Sequence, residues 1–533
     1  MRLYRAFATV GGLTLVSRVL GFVRDILIAA ALGTGFVADA FFVAFRFPNL
    51  FRRLFGEGAF NAAFVPLYAK RLESEGPNSA NAFAAEALSG LTLILTISSV
   101  VAVLTMPWLM LILAPGFAEA PIKYDLSVQL TQIAFPYLLC MSLVALLSGI
   151  LNTHNRFWAA AAAPVLLNII LILAILAALV FGFAERPEAG YALALGVTAA
   201  GVAQLTMLWL AVRQAGIRLR LHLPRYSKSM KRLVTLGVPG IISGGITQIN
   251  IVIGTIIASL QAGAVSTLYF ADRLYQLPLG IVGIAIGVVL LPDLSRKLRA
   301  GDRSAVLESQ NRSLEFALML TLPAAIALAI AAEPIISVLF EREAFTAADT
   351  TATAQALVAF SVGLPAFVLI KVFQPAFFAR EDTRTPMWFA GVSVIVNVVG
   401  SLILFFWFRS IGWMPHVGIA LATSAAGWVN AILLWHALYS SGAFTWDSKL
   451  TRNLPIIAMA STVMGWGVWQ TMRTVAPLMV ANAGIAMKIT GLAAIVLVGC
   501  GVFFSLLYAC GTFRLRHFLK PSPENARPTS KSG

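Results

Sequence analysis

Apolar runs of bilayer length recur along this chain of 533 residues, and most of its charged residues sit in the short stretches between them. A membrane-crossing helix needs about 20 predominantly apolar residues. Windows of that size predict fourteen helices, near 6–32, 36–60, 82–106, 127–151, 158–181, 190–212, 232–258, 264–292, 314–332, 351–378, 386–408, 416–439, 454–473 and 484–510. The first window has the outline of a cleaved leader. Arg18, Arg24 and Asp25 interrupt its apolar core, however, which predicts a retained first span.

Orientation follows from the loops. The N-terminus, Lys70/Arg71, Arg156, the segment 213–232, the segment 296–312, Arg380/Arg384, Lys449/Arg452 and the tail all fall on one side of the predicted membrane. About 26 Lys and Arg lie there, against about six (Lys123, Arg186, Arg342, Arg409, Arg473 and Lys488) on the other, and cytoplasmic loops carry such an excess. Both termini are thus expected in the cytoplasm, which requires an even number of spans. Segment 213–232 (RQAGIRLRLHLPRYSKSMKR) is basic and partly alternating, and is expected to lie on the anionic inner leaflet.

That connector also separates two halves that match at an offset of about 227 residues, the signature of an internal repeat. Ala44–Arg46 aligns with Ala271–Arg273, Pro66 with Pro292, Pro136 with Pro365, Asn168 with Asn397, Ala199–Gly201 with Ala425–Gly427, and Trp209 with Trp435. Each half has six spans, an even number, so the repeat is parallel, with its pseudo-axis along the membrane normal. The expected organisation is an N-lobe over 1–212, the connector over 213–232, a C-lobe over 233–440, two further helices over 441–512 and a cytoplasmic tail over 513–533.

Composition agrees: 59% of residues are hydrophobic and 12% charged, against about 25% charged in a soluble domain. The fold class is an all-α polytopic membrane protein. Lys and Arg outnumber Asp and Glu by 39 to 23, but they report topology rather than a nucleic-acid surface. The three cysteines (Cys140, Cys500 and Cys510) form no CxxC pair, and the five histidines are scattered. With no P-loop, HExxH or GxSxG sequence, the chain is not expected to be an enzyme or to hold a metal.

Charges within the spans are therefore the functional candidates, because an unsheltered cation near the bilayer centre costs about 2.5–3.5 kcal/mol on insertion scales. The candidates are Arg18, Arg24 and Asp25 on the first span, Asp39, Arg46, Arg52, Arg53 and Glu57 on the second, Asp272 and Arg273 on the eighth, and Lys371 on the tenth. An ion pair between Arg18 and Asp25 is the purely structural alternative. Seven cations against four acids (Asp25, Asp39, Glu57 and Asp272) predict a net-positive cavity. Guanidinium forks suit the oxygens of a phosphate or diphosphate. Pro136, Pro365 and Pro375 are expected either as kinks that allow rocking or as tolerated breaks.

Three stretches, SRVLGFVRDILIA (Ser17–Ala29), ADAFFVAFRFPNLFRRLFGEGAFNAAFVPLY (Ala38–Tyr68) and YFADRLYQLPLGIVGIAIGVVLLP (Tyr269–Pro292), resemble the MurJ (MviN) family, bacterial lipid II flippases of the MOP exporter superfamily. The resemblance extends over essentially the whole chain. It implies two six-helix lobes around a cationic cavity, with a groove along the last two helices for the lipid tail. It also implies transfer of the undecaprenyl-diphosphate-linked peptidoglycan precursor from the inner to the outer leaflet of the cytoplasmic membrane. Arg24, Asp25, Arg52 and Arg273 match the family's central-cavity charges, and Arg18, Asp39 and Glu57 its other functional positions. For some members the family implies a sodium site built of acidic and amide residues. Asp382 and Asn397 are the candidate remnants, in a sequence context that departs from such a site.

The expected function is lipid II flipping by alternating access, by a monomer that contacts anionic membrane lipids and uses no cofactor, with the membrane potential or sodium as candidate driving forces. The alternatives are a flippase for another polyprenyl-diphosphate-linked glycan, or a MATE-like drug/cation antiporter. The arginine excess and the two additional spans disfavour the antiporter, and a scaffold role would require no charges within the spans.

Overall fold

The computed structural model describes residues 2–52, 59–222, 227–479 and 484–512. In chain order the helices are α1 (Arg2–Leu32), α2 (Phe36–Arg52), α3 (Ala59–Ser74), α4 (Gly76–Leu104), α5 (Met106–Leu113), α6 (Pro121–Ala134), α7 (Tyr137–Thr153), α8 (Trp158–Val180) and α9 (Pro187–Gln214). There follow α10 (Lys228–Ala258), α11 (Ala264–Arg299), α12 (Arg303–Ile330), α13 (Ala332–Phe340), α14 (Ala347–Phe378), α15 (Arg384–Ser410), α16 (Pro415–Ser440), α17 (Ser448–Val475) and α18 (Ile485–Ala509). Among the described residues the one β feature is an isolated bridge between Arg342 and Phe345. Nine helical stretches among those residues are long and apolar enough to cross a membrane, so the chain is an all-helical polytopic membrane protein.

Every expected window overlies one or more of these helices. The window 127–151 falls within a single candidate span, Pro121–Thr153, that breaks between α6 and α7 at Pro136, which lacks the N–H that would continue the first. Pro365 and Pro375, by contrast, lie inside α14 without ending it. Local chemistry sets many of the ends. Proline occupies the first turn of α4, α5, α6 and α9, where its missing N–H has no intrahelical role. Ser227, Asp302 and Asp447 cap α10, α12 and α17 by accepting from the backbone N–H three residues on.

The turn from α1 to α2 depends on Gly33, whose φ of 56° falls where L side chains are strained. A Cβ there would also meet the Ala344 carbonyl oxygen at 2.3 Å. Gly33→Ala is accordingly expected to cost at least about 1–3 kcal/mol. Thermal unfolding of the detergent-solubilised protein checks this against Gly11→Ala, whose new Cβ would meet no atom within 4 Å. Equal melting temperatures for the two variants would contradict the assignment.

The helices form two compact units: Met1–Asp272 with Leu339–Ala356 and Ala390–Thr423, and Arg273–Val338 with Leu357–Phe389 and Ser424–Gly533. In the first, α7 is apolar on nearly every face, as befits a helix surrounded by others, and it packs among α3, α4, α8 and α9. In the second, one core joins α11, α12, α14 and α16, and another joins α12, α17 and α18. The 227-residue offset is visible in contacts of the first unit. Asp39 bonds to Ser266, and the Phe42 ring stacks on Tyr269 with centroids 3.9 Å apart. These contacts bring α2 against the start of α11.

In the second unit Asp447 binds two partners. Its carboxylate accepts from the Leu450 N–H at 2.6 Å and pairs with Arg312, which also pairs with Glu315. Burial pushes the Asp447 carboxyl up, but the Leu450 N–H and the Arg312 guanidinium outweigh it and hold the group below its ordinary value. Its contribution to stability is therefore fully present above the unfolded value of about 3.9 and disappears as pH falls through the lower folded value. In melting curves between pH 6 and pH 3, Asp447→Asn should be less stable than the parent at pH 6 and show a shallower acid limb. Parallel acid limbs would contradict this.

Candidate functional site

α1 carries two adjacent charges into the interior of the first unit, Arg24 at 5% exposure and Asp25 at 2%. Two buried charges are tolerated when paired and hydrogen-bonded, and the arrangement meets both conditions. Arg24 Nη2 and Nε donate to Asp25 Oδ1 at 2.7 and 3.0 Å. Arg24 Nη1 donates to Asn168 Oδ1 on α8 at 3.0 Å. The Asn168 amide is oriented from its other end, where Nδ2 donates to the Ser17 carbonyl at 2.9 Å. Asn168 packs against α1 at Gly21, where an added Cβ would lie in ordinary contact, 3.5 Å from Asn168 Nδ2. Tyr269, near the start of α11, completes the group: its hydroxyl accepts from Arg24 Nη2 at 3.3 Å and donates to Asp25 Oδ1 at 3.2 Å.

A second buried centre forms around Asp39, fully enclosed on α2. Lys123 Nζ donates to its Oδ2 at 2.6 Å, as does the Gly263 N–H at 2.8 Å. The Ser266 N–H and hydroxyl both donate to Oδ1, at 2.9 and 2.8 Å. The Lys123 ammonium also lies 3.9 Å from the centre of the Phe117 ring, a favourable cation–π position. Nearby, Thr34 in the α1–α2 turn donates to Asp349, and the Ala344 N–H donates to the Ala30 carbonyl at 3.1 Å. The start of α2 is thus fixed to α6, to the loop before α11 and to the loop before α14.

The remaining candidates are distributed as follows. Arg18 is exposed, and the partner of Asp25 is Arg24, so the Arg18–Asp25 pair is corrected. Arg46 is half-buried and donates to the Thr255 hydroxyl on α10 at 2.5 Å. Asp272 and Arg273 are half-buried on α11, with Arg273 one turn beyond Tyr269 and therefore on its face. Arg52 is the last residue of α2, while Arg53 and Glu57 lie outside the described residues. Lys371, expected to be buried, is exposed on α14. Lys123, expected in an outer loop, is 7% exposed within α6 and neutralises Asp39.

Asp382 and Asn397 do not come together as ligands of one ion. Asp382 is half-buried in the turn before α15, where it accepts from the Arg384 and Thr385 N–H groups. Asn397 is roughly 20 Å further along the helix, at 1.5 Å rise per residue. There it donates to Asn250 at 2.7 Å and accepts from Thr423 at 3.2 Å, in a cluster without a carboxylate. The pair does not fit a sodium site, which is built from several oxygens converging on one point. Among the described residues no group of three or more His, Cys, Asp or Glu could hold a metal ion.

A family model described as "Lipid II flippase MurJ" matches residues 28–489. A Rhizobium tropici protein described as "Probable lipid II flippase MurJ" is 46% identical over 512 residues, covering 96% of this chain and 95% of that protein. A Rhizobium meliloti (strain 1021) protein of the same description is 47% identical over 512 residues, covering 96% of this chain and 94% of that protein. The fold is similar to a solved structure described as "Lipid II flippase MurJ, inward closed conformation". The TM-score is 0.76 at 24% identity, and the match covers 95% of this chain and 99% of that one.

Proposed function

The chain belongs to the MurJ family of lipid II flippases, and from that premise we propose how its residues carry the activity. The protein flips lipid II, the undecaprenyl-diphosphate-linked peptidoglycan precursor, across a bacterial membrane by alternating access. The membrane is the cytoplasmic one, both termini lie in the cytoplasm, the direction is from inner to outer leaflet, and a monomer suffices.

The observation that carries the reading is the buried Arg24 guanidinium, held in orientation by Asp25, Asn168 and Tyr269. A planar fork fixed in this way is preorganised for a diphosphate. Asp25 keeps the site neutral at rest, and the incoming diphosphate takes over its place beside Arg24. Arg52 and Arg273 supply the further positive charge that two phosphates require. Asp39 and Lys123 act as positioning residues. The polyprenyl chain stays in the lipid along the outward faces of α17 and α18, where Trp466 and Leu497 are exposed. An inside-negative potential favours outward movement of the anion by about 2.3 kcal/mol per charge per 100 mV, so it can drive the cycle. The connector contributes a basic face: Ile217 and Leu219 are buried while Arg218 and Arg220 are exposed toward the anionic inner leaflet.

Depleting the protein and identifying the lipid-linked precursor that accumulates on the inner leaflet tests the substrate. Lipid II is expected. Accumulation of another polyprenyl-linked glycan, or of none, would contradict the reading.

A further inference from the structure

In the second unit, α11 and α12 enclose a groove of about 530 Å³ that plays no part in the site above. Its chemistry changes along its length. One end is lined by Ile286, Val289, Leu290 and Phe316, and the other by Asp293, Lys297, Glu308 and Arg312. The change coincides with the expected membrane boundary: the apolar residues fall inside the windows 264–292 and 314–332, and the charged ones just outside them. At 3.6 residues per turn, the groove residues of α11 centre roughly 215° around the helix from Arg273. The groove therefore faces away from the side of α11 that carries Arg273.

We propose that this groove holds one membrane phospholipid with a zwitterionic ethanolamine headgroup. Its size lies within the range of ligand sites, roughly 300–1,000 Å³. The charged lining is balanced, two acids against two bases, which matches a headgroup carrying both signs better than an anionic one. The two bases are held in place: Lys297 donates to Asp293 at 2.8 Å and to Ser309 at 2.5 Å, and Arg312 pairs with Glu315 and Asp447. Fixed cations suit a phosphate. Glu308 is exposed and makes no ion pair among the described residues, so its carboxylate is available to an ammonium. A primary ammonium can donate charge-assisted hydrogen bonds there, whereas a quaternary choline has no N–H to give. Val289, 67% exposed, offers the acyl chain its contact.

The test uses the full-length protein in detergent, delipidated and titrated with ethanolamine, choline and glycerol phospholipids of identical acyl chains, with native mass spectrometry counting the lipid retained. One ethanolamine lipid is expected, bound at least about tenfold more tightly than the glycerol lipid, equivalent to about 1.4 kcal/mol. Glu308→Gln should abolish that preference, and Val289→Trp, which fills the groove, should remove retention of all three. Both substitutions are at exposed positions, and an unchanged melting temperature verifies the fold. Equal retention of ethanolamine and glycerol lipids by the unaltered protein would overturn the proposal, as would retention unaffected by either substitution. Neither result bears on lipid II transport, which uses other residues.

Discussion

Lys123→Met is expected to destabilise the protein by about 3–5 kcal/mol, the usual cost of leaving one member of a buried ion pair without the other. Asp39 is fully enclosed, so with the ammonium gone its charge has no route to solvent. The Gly263 and Ser266 donors remain, but they are neutral and were already engaged. Adding Asp39→Asn should recover much of the loss, since an amide oxygen can still accept from Ser266 and carries no charge to shelter. Melting temperatures and the yield of folded protein for the two single variants and the double variant form the cycle that measures this coupling. If the single and double effects simply add, the pair contributes nothing of its own.

Arg24→Lys separates shape from charge. Lysine keeps the positive charge beside Asp25, but a point ammonium cannot reproduce the fork that reaches Asp25, Asn168 and Tyr269 together. Loss of a hydrogen bond to a charged group is worth about 1.5–3 kcal/mol, so transport per folded molecule should fall about 10–100-fold. A fall in translocation together with a lower melting temperature is the expected pattern, since the lost bonds also hold the folded state, read from exposure of lipid II at the outer leaflet in membranes carrying equal amounts of folded protein. Full activity would place the diphosphate elsewhere.

The helices were legible because twenty apolar residues leave few alternatives, and the charged positions stood out because a membrane makes them costly. Their partners were not legible. Lys123 lies 84 residues from Asp39 and just outside the window 127–151, so loop counting assigned it to the outer surface. What placed it inside was the start of α6 at Pro121, six residues before that window. Asn168 was visible as a repeat position, matched with Asn397, but nothing in the sequence indicated that it would orient a guanidinium. Asn168 bonds across from α8 to α1, and Asn397, its match in the expected repeat, bonds across from α15 to α10. Tyr269 lay within a stretch that resembled the family, yet its hydroxyl role depends on α1 and the start of α11 coming together in the fold. Arg18 and Lys371, expected among the buried charges, are exposed, because residence within an apolar window does not say which side of the helix a residue takes. Pro136 stands at a break between α6 and α7, whereas Pro365 and Pro375 lie inside α14.

Translocation of lipid II in reconstituted vesicles under an imposed inside-negative potential tests the central claim, with the unaltered protein compared to Arg24→Ala, Arg52→Ala and Arg273→Ala at matched folded amounts. The cationic-site account predicts potential-dependent transport by the unaltered protein and none by the three variants. Unimpaired transport by all three would contradict it.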